Sequence, residues 1–276
     1  MAVKEMDVKG LLDALGLREE PIGVFYTNQE PEQGLSPKPG LLPTPLMEAR
    51  QEVEWDLLWS NFACVLGLVW RARKQGQPAY FDRERFGCLG GAFYLGFQKP
   101  QLDFITYYVS TGIPEVTEGE RYLDSPQAVR RFFDTIDPRP APARYCVFKP
   151  LSQFSGGETP EVVTFFARPE AMSGLHFLAG FVTNDFEAVA APFGADCSYL
   201  VTWPLHYLAQ GKLKAVLGGW DPSARKFLKP DELSFSVPWE LFQQMARRWP
   251  ESFLTTPTWA GVKKKIALSR KTWKEQ

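Results

Sequence analysis

The stretch PEVVTFFARPEAMSGLHFLAGF, residues 160–181, carries the clearest fold signal in the sequence. Its first part, EVVTFFA, is a nearly continuous run of β-forming residues, which is typical of a strand in a sheet covered on both faces. Its second part, RPEAMSGLHFLAGF, predicts the helix that follows this strand. A buried strand followed directly by a helix indicates an α/β protein, with a mixed α+β arrangement as the alternative.

Strands and helices also alternate on either side of this stretch. The segment PIGVFYT predicts a buried strand near the N-terminus. SNFACVLGLVWRARKQG predicts a helix that is capped by Ser60 or Asn61 and stops at Gly76. Further along the chain, the predicted elements are the strands PAYFD, RYCVFKPL, KLKAVLG and ELSFSV, and the helices SPQAVRRFFDTI, ADCSYLVTWPLHYLAQG and PWELFQQMARRW.

The order of these elements suggests an internal duplication. PIGVFYTNQEP precedes a helix that contains Cys64 and ends in Gln75-Gly76. PEVVTFFARPE likewise precedes a helix that contains Cys197 and ends in Gln210-Gly211. We therefore expect two related halves, residues 1–142 with Cys64 and Cys88 and residues 143–276 with Cys197. Each would be a small mixed sheet with flanking helices, and the two would pack as one compact unit. One continuous domain is the alternative, with RPAPA at residues 139–143 as the crossing point.

Charge and hydropathy exclude several classes of function. The 31 Lys and Arg residues nearly balance 32 Asp and Glu residues, so no overall field attracts nucleic acid or an anionic membrane. The sequence contains no apolar run near 18 residues and no secretory signal pattern, so we expect a cytoplasmic protein. In that compartment thiols stay reduced, and the four cysteines are buried, reactive or metal-bound rather than paired.

Three of the four cysteines lie at predicted helix N-termini. Cys64 falls in the first turn of its helix, Cys197 follows Asp196 at the start of another, and Cys88 precedes LGGAFYLGF. Unpaired amide groups and the positive end of the helix dipole stabilise a thiolate at such positions. Cys146 differs, because it alternates with its neighbours in a strand and is predicted to lie in the core.

The cysteine spacing matches no compact metal motif, since the sequence has no C-x-x-C pair. A metal or iron–sulfur site would therefore be assembled from both halves by Cys64, Cys88 and Cys197. Gly87, Gly90 and Gly91 suit such a site, because glycine lets backbone amides approach a cluster sulfide closely. The alternative is that the cysteines are small buried packing residues and that GCLGG is only a turn.

Other polar residues have both a functional and a structural interpretation. His176 and His206 lie in apolar helical runs and are predicted core or rim residues, with His206 as an alternative fourth metal ligand. Arg225 in GGWDPSAR is a candidate clamp for a substrate carboxylate or phosphate. The alternative for this segment is a type I turn with a local Asp221–Arg225 pair. The sequence lacks a nucleophile elbow and a phosphate-binding loop.

The ordered motifs PIGVFY, RARKQGQPAYFDRERFGCLGGAFYLGF, PEVVTFFARPEAM, DCSYLVTWPL and GKLKAVLGGWDPSARKFLKPDELSFSVP resemble domain-of-unknown-function family 169, the uncharacterised ArCR family. The resemblance runs from about Leu11 to Met245. It implies cysteines at the positions of Cys64, Cys88 and Cys197 but not at Cys146, and a glycine pair at Gly90 and Gly91. The family commonly has Pro at the position of Leu89. It occurs largely in archaea and anaerobic bacteria, which favours oxygen-sensitive chemistry, but it implies no reaction.

We therefore expect an iron–sulfur cluster or a metal bound by three cysteines near the interface of the two halves, with redox or small-anion substrate chemistry. One alternative is a small-molecule-binding or regulatory module without metal, in which aromatic residues line the pocket. A second alternative is thiol catalysis by Cys88 alone. The sequence indicates neither a nucleic-acid partner nor an oligomeric state.

Overall fold

The computed structural model describes residues 6–38, 45–52, 54, 63–85, 88–99 and 103–273. Residues 60 and 61, the predicted caps of the first cysteine-bearing helix, and Gly87 lie outside these ranges. The elements up to residue 142 are α1 (Val8–Leu15), β1 (Ile22–Thr27), α2 (Pro45–Ala49), α3 (Val65–Gln75), β2 (Ala79–Phe81), α4 (Leu89–Tyr94), α5 (Asp103–Val109) and α6 (Pro126–Ile136).

The C-terminal part of the chain supplies most of the strands. Its last helix, which is rich in lysine, is nearly all exposed. The elements are β3 (Tyr145–Pro150), β4 (Val162–Ala167), α7 (Pro169–Thr183), β5 (Val189–Ala190), a π-helix (Ser198–Thr202), α8 (Trp203–Ala209), β6 (Ala215–Gly218), β7 (Leu233–Pro238), α9 (Trp239–Arg248) and α10 (Pro257–Thr272).

The strands form one seven-stranded sheet in the order β2-β3-β1-β4-β7-β6-β5. Neighbouring strands are antiparallel except for the short parallel pair β5–β6. The predicted α/β class is confirmed. Strand β1 comes from residues 1–142 but lies between β3 and β4, which come from residues 143–276. The internal duplication stays a prediction.

Strand β4 is buried on both faces of the sheet, as its sequence predicts. Val162 and Phe166 belong to the apolar cluster on one face, whereas Val163 and Phe165 belong to the cluster on the other. Successive side chains of a strand point to opposite faces, so a strand covered on both sides must be apolar throughout. The exception is Thr164, whose hydroxyl forms a 2.8 Å hydrogen bond with the hydroxyl of Ser236.

The helices are divided between the two faces of the sheet. Residues of α1, α7 and α9 fill the cluster that contains Val163, and residues of α3, α4 and the π-helix fill the cluster that contains Val162. Helix α3 ends at Gly76, which has the left-handed φ of 63° that favours glycine. All three cysteines of the predicted site lie on the face covered by α3 and α4.

Pro204 lies within the segment predicted as one helix, and a π-helix precedes it there. The N–H of Trp203 donates to the carbonyl of Ser198, five residues earlier, and α8 continues the helix with Pro204 in its first turn. Proline lacks the amide that an α-helical bond would need, and the wider π turn accommodates it. The helical segment that begins at Asp196 therefore continues to Ala209 instead of breaking.

Candidate functional site

A cavity of about 780 Å³ lies on the face of the sheet covered by α3, α4 and the π-helix. It is bounded by the N-termini of α3 and α4, by α5 and α6, and by the loops at 191–197 and 220–227. Its wall is mainly aromatic and aliphatic, with contributions from Phe93, Tyr94, Phe104, Tyr108, Tyr122, Phe132, Phe133, Phe193, Tyr199, Trp220 and Phe227. A cavity of this size is typical of a small-molecule site.

Cys64, Cys88 and Cys197 all line this cavity. Cys64 is the N-cap of α3 and Cys88 is the N-cap of α4. Cys64 therefore lies just before its helix, whereas the sequence predicts it within the first turn. Cys197 directly precedes the π-helix. The structure therefore brings together three thiols that are far apart in the sequence. Cys146 is fully buried in β3 and does not line the cavity.

Backbone amides contact two of the three sulfurs. The amide of Gly91 donates to Cys88 Sγ over 3.1 Å. Burial raises the pKa of Cys64, and hydrogen bonds from the amides of Gly67 and Leu66 oppose this rise in part. Gly91 must lack a side chain, because an added Cβ would lie 2.7 Å from Val65 Cγ2. At Gly90, which also lines the cavity, an added Cβ would make only ordinary contacts.

Burial governs the thiol pKa values. Burial, followed by the neighbouring Cys64, raises the pKa of Cys88 to about 12. Burial likewise raises the pKa of Cys197 well above its usual range, with further contributions from Cys88 and Cys64. Loss of hydration on burial outweighs the amide contacts and favours the protonated thiols, whereas the helix N-termini by themselves favour thiolates.

Two hydrogen bonds hold the elements that carry these thiols. Thr202 in the π-helix donates its hydroxyl proton to the carbonyl of Tyr94 in α4 over 2.7 Å. The loop before Cys197 is held by Tyr199, whose hydroxyl donates to the carbonyl of Gly194 over 2.7 Å. Buried hydrogen bonds of this kind restrict the relative movement of α4 and the π-helix.

Acidic side chains also line the cavity. Asp196 is only 3% exposed, and its Oδ1 accepts from the amide of Gly219 over 2.9 Å. Its Oδ2 has no hydrogen-bond partner among the described residues. Burial, followed by the charge of Asp221, raises the pKa of Asp196 to about 7. The same two causes raise the pKa of Glu120 to about 7.

Asp221 is the common source of negative charge in the cavity. Its Oδ1 accepts from the amide and the hydroxyl of Ser223, at 2.9 and 2.8 Å. Behind burial, its charge contributes to the raised pKa of all three cavity thiols. The sequence predicts this residue only as part of a turn with a local Asp221–Arg225 pair. Nothing in the GGWDPSAR motif shows which distant groups face it.

The guanidinium of Arg225 does not lie where an anion clamp for the cavity would need it. It donates to four backbone carbonyls, and the residue does not line the cavity. The acceptors are Gly219 (3.1 Å), Glu232 (2.6 Å), Lys229 (2.8 Å) and Pro230 (2.9 Å). The predicted turn at Asp221 is present, but the described residues include no Asp221–Arg225 ion pair. Lys226 is the basic residue of the cavity wall.

The two histidines are not part of the cavity wall. His206 Nε2 lies 2.7 Å from Nε2 of Gln210, and its ring contacts Trp203. His176 is exposed on α7. Across the part of the chain that the structure describes, no group of three or more His, Cys, Asp or Glu side chains has an arrangement that holds a metal ion.

The fold and the site define a mixed α/β protein with a cysteine-lined, largely aromatic cavity. The chain belongs to the DUF169 family, described as uncharacterised ArCR, whose model matches residues 10–248. The resemblance seen in the motifs is thus confirmed. No curated protein and no solved structure matches the chain significantly. Among the helices of the described ranges, none is long and apolar enough to cross a bilayer.

Proposed function

We propose that the protein binds a small molecule in the cavity. The observation that supports this best is the cavity itself, since about 780 Å³ of largely aromatic space combines with a few polar groups at its wall. Aromatic and aliphatic walls supply most of the binding free energy of such sites, and the polar groups select the ligand. Here the polar groups include three thiols, three carboxyl groups and one lysine, together with hydroxyls of serine and tyrosine.

A variant that fills the cavity tests this proposal. Gly90 has a non-strained φ and space beyond its Cβ, so Gly90→Phe places a ring in the cavity. Gly261 in α10 is the matched control, because an added Cβ there meets no atom within 4 Å. A thermal-shift screen of metabolites is run on the wild type and on both variants.

We expect at least one metabolite to stabilise the wild type and Gly261→Phe but not Gly90→Phe. At a hundredfold excess over its Kd, such a ligand stabilises by about 2.7 kcal/mol, which is measurable as a raised Tm. Equal stabilisation of Gly90→Phe would place the ligand elsewhere. A screen without any stabilising compound would count against the proposal.

The second candidate function is binding of an iron–sulfur cluster by Cys64, Cys88 and Cys197. The observation that favours it is the shared cavity wall, with backbone amides at two of the sulfurs. Hydrogen bonds to sulfur are one way in which proteins tune such clusters, and a bound cation replaces the thiol protons that burial otherwise retains. Because the described side chains are not arranged for a metal ion, a single ion would require them to move closer together.

Anaerobic purification and reconstitution with iron and sulfide test the cluster. We expect visible absorption and bound iron in the wild type, and loss of both in Cys64→Ser, Cys88→Ser and Cys197→Ser. Cys146→Ala is the control, because this cysteine is buried on the same side of the sheet but outside the cavity. Iron contents that are equal in the cavity variants and the control, or zero in the wild type, would reject the cluster.

A further inference from the structure

We propose that the cavity selects small organic cations, in which an apolar or aromatic body carries an ammonium group. This inference rests on the proposed small-molecule function and specifies its ligand class. It is based on the charge of the cavity wall, on a buried carboxyl oxygen without a partner, and on the aromatic residues near the carboxyl groups.

The wall of the cavity is acidic. Glu120, Asp196 and Asp221 line it, and Lys226 is the one basic side chain among its described lining residues. Lys226 is exposed, and its Nζ lies 5.3 Å from the ring centroid of Phe227. Arg225 is bonded to four carbonyls and faces no ligand. The three carboxyl groups of the wall are therefore opposed by a single basic side chain.

Asp196 adds a buried carboxyl group to the wall of the cavity. It is 3% exposed, and one of its two carboxyl oxygens has no hydrogen-bond partner in the described part of the chain. Burying a carboxylate without full compensation is costly. A cation in the adjacent cavity offsets that cost, because Coulomb interactions are strong where water is excluded.

The aromatic residues of the wall suit the same ligand. Tyr108, Tyr122 and Trp220 line the cavity together with Glu120 and Asp221. Tyr122 and Trp220 are 36% and 47% exposed, so they lie where the cavity meets solvent. The face of an aromatic ring attracts an ammonium group, and aromatic cages are a common way of binding organic cations.

A metal ion fits these carboxyl groups less well than an organic cation. The described acidic and thiol side chains include no set arranged around one ion. An organic ammonium ion is bound by charge attraction and by contacts with aromatic rings, so it does not need three or more ligand atoms arranged around one ion. The apolar wall then contacts the uncharged part of the ligand.

A matched set of three probes tests the inference: 2-phenylethylamine, 2-phenylethanol and 3-phenylpropionate, which are similar in size and differ in charge. Dissociation constants are measured by ligand-observed NMR up to about 10 mM. We expect the amine to bind on the order of tenfold more tightly than the alcohol, and the acid to bind most weakly.

Two charge-removing variants locate the selectivity. Glu120→Gln and Asp221→Asn are each expected to weaken binding of the amine about five- to tenfold and to change binding of the alcohol less than twofold. Glu118→Gln is the control, because its carboxylate is 84% exposed and does not line the cavity. We expect it to leave all three affinities unchanged.

Several outcomes would overturn the inference. Equal binding of amine and alcohol, or an amine affinity that Glu120→Gln and Asp221→Asn leave unchanged, would reject charge selectivity while small-molecule binding stands. If 3-phenylpropionate bound most tightly, the selectivity for cations would also be rejected, and Lys226 would be the expected partner of its carboxylate. If no probe binds but metabolites in the screen do, the inference fails alone; if neither binds, the proposed function fails with it.

Discussion

Glu120 is half-buried in a mainly aromatic cavity and lies near the negative charge of Asp221. Burial, and then Asp221, raises its pKa to about 7, which is above its value in the unfolded chain. Between about pH 4.5 and pH 7, the Glu120 carboxyl group therefore keeps its proton in the folded state but has lost it in the unfolded state. The stabilising contribution is fully present below about pH 4.5 and is lost as pH rises through 7.

Replacing Glu120 with Gln removes this pH dependence. At pH 8 we expect the free energy of unfolding to rise by about 1 kcal/mol, an amount reduced for partial exposure of the group. At pH 5 the effect should nearly vanish. Urea denaturation at the two pH values measures both, and exposed Glu118→Gln is the control. A larger gain at pH 5 than at pH 8 would contradict the assigned pKa direction.

Gly91 and Gly90 are adjacent residues with different packing. A Cβ on Gly91 would lie 2.7 Å from Val65 Cγ2, whereas a Cβ on Gly90 would come no closer than 3.8 Å to its nearest neighbour. We expect Gly91→Ala to lower the free energy of unfolding by about 1–3 kcal/mol, since the core is already filled. Gly90→Ala should change it little. Denaturant titration distinguishes the two, and equal effects would mean that α3 and α4 are not tightly packed.

Among the elements, the loop from residue 219 to 232 depends on a single side chain. Arg225 donates to the carbonyls of Gly219 and Glu232 at its two ends and to two carbonyls between them. The planar guanidinium bonds several acceptors at once, whereas an ammonium group on the shorter lysine side chain does not reproduce that geometry. This loop also carries Asp221 and Trp220 to the cavity.

Arg225→Lys should therefore destabilise the protein by about 1–3 kcal/mol through unsatisfied carbonyls. Lys226→Gln, at the neighbouring exposed position, is expected to have little effect on Tm. Thermal unfolding monitored by circular dichroism measures both. An Arg225→Lys protein with an unchanged Tm but impaired binding of an anion would restore the clamp predicted from the sequence.

At the scale of the whole molecule, the single sheet joins the two parts of the chain. Strand β1 pairs with β3 along its length and with β4 at its N-terminal end. Without β1, both of these strands would expose an unpaired edge and the apolar residues on their two faces. The division at residue 142 therefore separates strands that pair in one sheet.

We expect the fragments 1–142 and 143–276 to lack cooperative unfolding when each is expressed alone. Co-expression should restore a complex with the far-ultraviolet circular dichroism of the intact chain. The intact protein, unfolded under the same conditions, is the reference. Cooperative folding of either fragment by itself would support two separable halves and the internal duplication.

The local features of this protein could be predicted from the sequence. The run EVVTFFA requires a strand with two apolar environments, and Ser125 with Pro126 specifies the start of α6 through a side-chain cap and a preset φ. Cys88 precedes a helix as its sequence predicts, whereas Cys64 lies just before the helix and not in its first turn. These features depend on residues a few positions apart, which is the range over which backbone propensities and caps act.

The properties of the site were decided by tertiary structure. Pairing of distant strands and packing of α3 against α4 bring Cys64, Cys88 and Cys197 to one cavity, and they also place Asp221 near Glu120 and Asp196. The bonds of Arg225 and the raised thiol pKa values depend on which groups surround each side chain after folding. Burial and charge interactions act through space, so no local pattern in the sequence specifies them. By itself, the sequence determined six of the seven strands and several of the helices, because these depend on short-range patterns, and the assembled sheet determined which of their residues meet.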